Sequence, residues 1–458
     1  MKTLFAFFIC IISISTIKAQ EKTKLWQSDI SLGRSFSVTT FLDYETNGSE
    51  FSLSSPENAD KRILSTSSVF FGRLFGKLPK KGVFIEIAGN KKNDSLLGNV
   101  NAFSLGEFTF RGNIKKDSIF GEFFKSDGSK MGNLQSKQST ENKLDYKTFY
   151  PKIISVTKNN IYSEDALTTE SWKEFDKKLK ELCEKANDDI EFYVGFNILS
   201  QDLEFSHYNL LKQKADKNRT VKNNSDNKTK NNTLKDVEFS EKNKETAYLK
   251  IKNFSSTQAE LAKTLPVIIS NDYKNLIIDL RNNGGGGVEA AFELAEHLVD
   301  QKSEVGYFLS NDIDYKGFNK EKFDALDKMK PKTTIEFIEY LQKEKGAKMV
   351  FYNSKNKDTF KGKIYFLVNN NTASTCEPIV YLFKDKYDAT IIGKKTAGDM
   401  MSATLFDVQK DYKLFLPIAD FYTYDGYRIE GKGVLPDIET ESDEALSRAI
   451  KIINEKNK

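Results

Sequence analysis

The chain has 458 residues, 29% of them charged and 39% hydrophobic. That balance describes a soluble globular protein, excludes a wholly disordered one, and leaves room for two or three domains. The formal charge of +4 loses two units with Lys2 and Lys18 of the leader described next, and so small a surplus gives no reason to expect nucleic acid.

Residues 1–19 have the pattern of a secretory signal. Lys2 supplies the positive start, Leu4 to Ile14 the apolar run, and Ala19 the expected cleavage position. The run is too short to span a bilayer and no later segment reaches transmembrane length, so an exported protein, periplasmic or extracellular and without a membrane span, is expected. Cys10 lies inside the leader, and Phe7-Phe8-Ile9 before it are too bulky for the usual lipoprotein signal. The remaining cysteines, Cys183 and Cys376, read as two buried free thiols.

Residues 20–150 read as a β-rich domain. Short alternating runs such as Ser35-Phe36-Ser37-Val38 and Val83-Phe84-Ile85-Glu86-Ile87 are separated by turn signals such as Asn47-Gly48 and Asp127-Gly128. An antiparallel meander or small barrel of about one hundred residues fits this spacing. Over 151–211 the period becomes helical, with Trp172, Phe175, Leu179 and Leu182 on one face, and the segment closes on Phe205-Ser206-His207-Tyr208. Residues 212–244 are Lys-, Asn- and Asp-rich with few apolar side chains, the composition of a flexible linker. From 245 to 458 strands alternate with helices, which implies an α/β core. Its expected elements include a strand from Ala247, a helix bent or broken near Pro266, a strand over Leu276–Leu280, a charged insertion over 301–360, and a strand over Ile364–Val368.

Two segments of this core carry the chemistry. In each, a buried strand runs through a tight turn into a helix: Leu276–Leu280 into Gly284–Gly287, and Ile364–Val368 into Asn369–Glu377. A serine hydroxyl becomes a nucleophile only when a base takes its proton and donors receive the oxyanion. Ser374 stands where the first helical N–H groups gather; Thr375 N–H is one natural oxyanion donor, and Gly285 or Gly286 supplies another. The plain alternative for Ser374 is a helix N-cap. The glycine run lacks the Gly-Lys-Ser/Thr ending of a phosphate loop and the spacing of a dinucleotide fingerprint. Of the two histidines, His297 reads as a surface helix residue and His207 as a structural residue between aromatics. Two distant histidines make no metal site, and neither metal nor cofactor is expected.

Four segments in order resemble the carboxy-terminal processing (tail-specific) serine peptidases, the group that includes the tricorn peptidase core. They are Ala247–Phe254, Leu276–Gly286, Thr372-Ala373-Ser374-Thr375-Cys376-Glu377, and Glu430-Gly431-Lys432-Gly433-Val434-Leu435-Pro436-Asp437. The resemblance implies a crotonase/Clp-like α/β fold and a peptidase acting on peptide or protein substrates, with Ser374 in the nucleophile's place. Many members use a lysine base after the glycine of a Gly-x-x-Thr-x-Gly-Lys segment. Here Gly393 to Gly398 is followed by Asp399, so that lysine is absent. The tricorn-like branch implies instead a histidine preceded by serine and a glutamate near the closing motif, positions that Ser206-His207 and Glu430 match. Many relatives also carry a PDZ domain where this chain has its polar linker. The reading is an exported serine endopeptidase with His207 as base; a peptidase using Lys394 or Lys395, and an inactive peptide-binding relative, stand as alternatives.

Overall fold

The computed structural model describes residues 25–456, apart from 34–35, 104–105, 213–235, 312–317, 330, 332, 345, 352–357 and 410. The expected leader and most of the expected linker lie outside the described residues. The chain divides into two compact units, residues 1–145 with 185–192, and residues 146–184 with 193–458.

In the first unit eight strands form an antiparallel barrel: β1 (Leu25–Leu32), β2 (Phe36–Asn47), β3 (Glu50–Ser54), β4 (Ile85–Lys92), β5 (Ser95–Ala102), β6 (Gly106–Lys115), β7 (Ser118–Phe124) and β8 (Lys130–Gln138). Each pairs with the next, and β8 returns to β1 with Ile30 opposite Leu134. The period-2 pattern decides which side chains fill it: Trp26, Ile30 and Leu32 are buried while Asp29 is exposed. The buried hydroxyls of Ser28 and Ser136 satisfy each other at 2.8 Å. Two helices that the alternation did not reveal, α1 (Ala59–Ile63) and α2 (Thr66–Leu74), are inserted between β3 and β4.

Three helices follow, α3 (Phe149–Asn160), α4 (Glu170–Lys185) and α5 (Asp189–Leu199). Trp172, Phe175, Leu179 and Leu182 of α4 are all buried, as their spacing requires. Then come β9 (Asn209–Lys212), β10 (Val237–Asn243), β11 (Thr246–Ile251), α6 (Gln258–Ser270), β12 (Asn275–Asp279) and α7 (Val288–Glu296). The last part of the expected linker is thus a strand, because β10 finds an antiparallel partner in β11. Helix α6 continues through Pro266 rather than ending there, with Leu261, Leu265 and Ile268 buried on both sides of it.

The expected charged insertion is folded. It contains β13 (Ser303–Leu309), α8 (Lys320–Asp324), β14 (Lys328–Met329), α9 (Thr334–Glu344) and β15 (Gly346–Phe351). Val305, Phe308, Ala347 and Val350 on its strands are buried, and the charges that dominate its composition lie mostly between them. The chain ends with β16 (Lys363–Val368), α10 (Cys376–Lys386), β17 (Thr390–Gly393), β18 (Ser402–Gln409), β19 (Tyr412–Thr423), β20 (Ile438–Glu439) and α11 (Ala445–Lys456).

These strands form two sheets, in the orders β10-β11-β12-β16-β17-β20 and β14-β15-β13-β19-β18, with β9 added to β19. From β11 to β20 the first sheet is parallel. Adjacent parallel strands release their loops at the same edge, so the turns after β12 and β16 meet there, at the carboxyl ends where α/β sheets open their clefts. Cys183 and Cys376 are buried free thiols. His297 departs from expectation: it is buried at the end of α7, its Nδ1 2.9 Å from the Glu293 carbonyl.

Candidate active site

The β12 and β16 loops are laced by short polar side chains. Asn369 donates from Nδ2 to Asn282 Oδ1 at 2.9 Å and accepts the Asn282 N–H at Oδ1 at 3.0 Å. Thr372 Oγ1 donates to the Leu280 carbonyl at 2.8 Å, and Ala373 N–H to the Asn283 carbonyl at 3.0 Å. At the end of β12, the buried Asp279 takes Tyr248 OH at 2.7 Å and the Arg281 guanidinium at 2.9 and 2.5 Å. The turn holding Ser374 is therefore built against the glycine loop on several independent hydrogen bonds.

Ser374 has φ +56°, a left-handed conformation that a serine adopts only when its surroundings impose it. The N-cap of α10 is Thr375, and Ser374 Oγ makes no hydrogen bond among the described residues, so the plain capping role does not account for it. Its own N–H donates to Glu377 Oε2 at 3.0 Å. The Glu377 carboxylate is fully buried and also takes Thr396 Oγ1 at 2.6 Å, Gly398 N–H at 2.8 Å and Asp399 N–H at 3.1 Å. Burial pushes its carboxyl up to about 7, against four donors that favour the ionised form. Sequence reasoning assigned Glu377 no role. The Ser-x-x-Glu spacing, in which a glutamate reaches back to an N–H three residues earlier, was the available signal.

Of the two glycines expected to offer a donor, Gly285 does not. Its N–H donates to Asn283 Oδ1 at 2.9 Å, because Asn283 is buried and fixed by its own bond to the Ile251 carbonyl. Gly285 is needed for space instead: with φ +91°, a Cβ there would stand 2.8 Å from Ser374 Cβ. Its carbonyl accepts Phe254 N–H at 2.8 Å. In a planar trans peptide the next N–H points the opposite way, so this bond turns Gly286 N–H away from Phe254. Among the described residues neither Gly286 N–H nor Thr375 N–H meets a protein acceptor. Thr375 Oγ1 donates to the Gly286 carbonyl at 2.9 Å and ties the two residues together.

His207 arrives from the other sheet. Strand β9 pairs antiparallel with β19, Asn209 opposite Phe415. Phe205 and Tyr208 are buried on either side, and Tyr208 OH shares a 2.7 Å bond with Thr157 Oγ1. With both neighbours anchored inward, His207 is held at φ +62°. Its ring lies beside Phe415, with centroids 5.6 Å apart. The flanking aromatics are thus anchors, and the histidine they hold joins Ser374, Thr375 and Gly286 in lining one cavity of about 370 Å³.

Behind the ring is a chain of hydrogen bonds. Ser206 Oγ lies 2.6 Å from His207 Nδ1 and donates to Glu430 Oε2 at 3.0 Å. Glu430 also accepts N–H groups from Ser206 at 2.6 Å, Met400 at 2.6 Å and Met401 at 3.2 Å, donors that suit an ionised carboxylate, while burial raises its carboxyl above the usual range. Ser206 has one hydroxyl proton. If the carboxylate takes it, Nδ1 must carry the imidazole proton and Nε2 is left with a lone pair. Burial lowers the His207 imidazole below its ordinary range, and the Asp399 carboxylate opposes this. Ser374 Oγ and His207 Nε2 are not hydrogen-bonded to each other.

Residues 245–440 match the model of peptidase family S41. The chain carries a peptidase family S41 domain. Among curated relatives, a probable CtpA-like serine protease of Staphylococcus epidermidis is 28% identical over 206 residues, which are 45% of this chain and 35% of that one. A namesake from Staphylococcus haemolyticus is 23% identical over 217 residues, 47% of this chain and 37% of that one. The matched region thus spans about a third of these relatives' length. Among solved structures, the tricorn protease is 12% identical with a TM-score of 0.43, covering 93% of this chain and 46% of that one. The S41 domain contains Ser374, the glycine loop and Glu430 but not His207, which lies upstream of residue 245. Lys394, the alternative base, has its ammonium 2.8 Å from Glu441 and 3.4 Å from Glu439.

Proposed function

We propose that the protein is an exported serine endopeptidase in which Ser374 is the nucleophile and His207 the base. The observation that carries this is the orientation of His207. Its Nδ1 is held by Ser206 and Glu430, and its other ring nitrogen is free to serve the cavity that Ser374 lines. Ser374 Oγ attacks the peptide carbonyl while Nε2 takes its proton. Gly286 N–H and Thr375 N–H receive the oxyanion, and the imidazolium returns the proton to the leaving amine. Water, activated by the same nitrogen, then hydrolyses the acyl-enzyme. Export rests on the leader over residues 1–19.

The rest of the cavity wall is apolar, with Val288, Phe292, Phe308, Phe337 and Met349 among its lining. Such a wall favours a substrate carrying an apolar side chain beside the bond to be cut. A library of peptides blocked at both ends tests the reading. Internal cleavage beside Leu, Met or Phe is expected, and turnover should survive a chelator. Absence of cleavage, or cleavage confined to terminal residues, contradicts it.

The pH dependence follows from the same geometry. Activity needs His207 neutral, so the acid limb of kcat/KM should fall below the ordinary imidazole value of about 6.5. Asp399 is the opposing influence, raising the imidazole by stabilising its charged form, and it also raises the Glu377 carboxyl. Asp399→Asn removes that charge and should move the limb to still lower pH. A limb that stays in place or moves upward assigns the titration to another group.

A further inference from the structure

We propose that the outward face of α2 docks the protein on an anionic membrane surface. Helix α2 is amphipathic the wrong way round for a protein in water. Its inner face is pinned: Val69 is buried, and Gly72 sits so close beneath Leu78 that a Cβ would lie 2.7 Å from Leu78 Cδ1. Arg73 is spent inside the unit, its guanidinium reaching Asp60 at 2.7 and 2.8 Å. The outer face holds Phe70, Phe71 and Leu74, with Phe75 just beyond, and they are 53–70% exposed. Phe71 touches both Phe70 and Phe75, at centroid distances of 5.3 and 6.2 Å, so the patch is continuous.

Charge decides what covers this patch. From Thr66 to Lys81 the sequence has no Asp or Glu, whereas Lys80 and Lys81 follow the apolar face and are exposed. Lys61 borders the apolar groove beside Phe70 and Leu74. A second copy of this chain would bring cations against cations, and a neutral apolar partner would leave the lysines without a role. An interface of acyl chains beneath anionic headgroups meets both halves of the patch: aromatic rings enter the boundary region and ammonium groups stay at the phosphates. The held backbone means little ordering is needed on docking.

The test is flotation of the chain from Gln20 onward, so that the apolar leader cannot insert by itself, with vesicles of phosphatidylcholine alone or mixed with phosphatidylglycerol. Binding to the mixed vesicles, weakened by added salt, is expected. The exposed-face variant Phe70→Ser/Phe71→Ser/Leu74→Ser should lose at least about 10²-fold in partitioning. Lys80→Gln/Lys81→Gln should lose about 25-fold, about five-fold per cation. Circular dichroism checks that both variants stay folded. Failure to bind either vesicle, equal binding to both, or unchanged binding by the serine variant overturns the proposal. Self-association that the serine variant abolishes, without vesicle binding, assigns the patch to a second copy and also overturns it.

Discussion

Replacing Ser374 by Ala should lower kcat/KM by about 10⁴-fold or more while leaving the fold in place. Both halves of this expectation come from the same local structure. The hydroxyl makes no hydrogen bond among the described residues, so its removal breaks no contact that supports the turn. The bonds that do support it belong to the backbone, namely Ser374 N–H to Glu377 and the Ser374 carbonyl to Glu377 N–H at 2.8 Å, and alanine keeps them. Alanine also tolerates φ +56° about as poorly as serine does, so the strain is unchanged. Thermal unfolding should then move by no more than about 0.5 kcal/mol. A folded variant with full turnover would show that Ser374 has no part in the chemistry.

Replacing His207 by Ala should cost about 10² to 10⁴-fold in turnover, the range that a positioned general base contributes. Lys394→Ala and Lys395→Ala should retain most activity, since the Lys394 ammonium is engaged with Glu439 and Glu441. The loss should also be partly restored by added imidazole, which can occupy the vacated space and carry the proton. A purely structural histidine would give no such rescue. Activity that survives in His207→Ala but is lost in Lys394→Ala would move the base to the lysine.

Much of this site was legible in the chain because its parts announce themselves locally. Strand, glycine-rich turn and helix follow one another within about a dozen residues, and Thr372 to Glu377 and Glu430 to Asp437 are distinctive as written. The α/β core and the antiparallel β domain were likewise readable from period and turn residues. Contributions that depend on partners far along the chain were not. Strand β9 is four residues long and has a reason to be a strand only because β19, some two hundred residues later, offers it an edge. The 301–360 segment is rich in charge, yet its short strands complete a sheet whose other members lie outside it.

The glycine loop shows the limit most clearly. Sequence offered Gly285 or Gly286 as the second donor, and no local rule separates them. The buried Asn283 side chain takes one N–H, and Phe254, from the segment after β11, orients the next peptide. His297 was misplaced for a related reason: one helical turn of spacing put it beside the apolar stripe, but α7 is buried on nearly all sides.

The most direct measurement maps the residue modified by a fluorophosphonate, by peptide mass spectrometry, in the wild type and in His207→Ala. A single adduct on Ser374 is expected, formed far more slowly in the variant because Nε2 no longer removes the proton. An adduct on any other residue, or labelling of Ser374 at the same rate in both proteins, would contradict it.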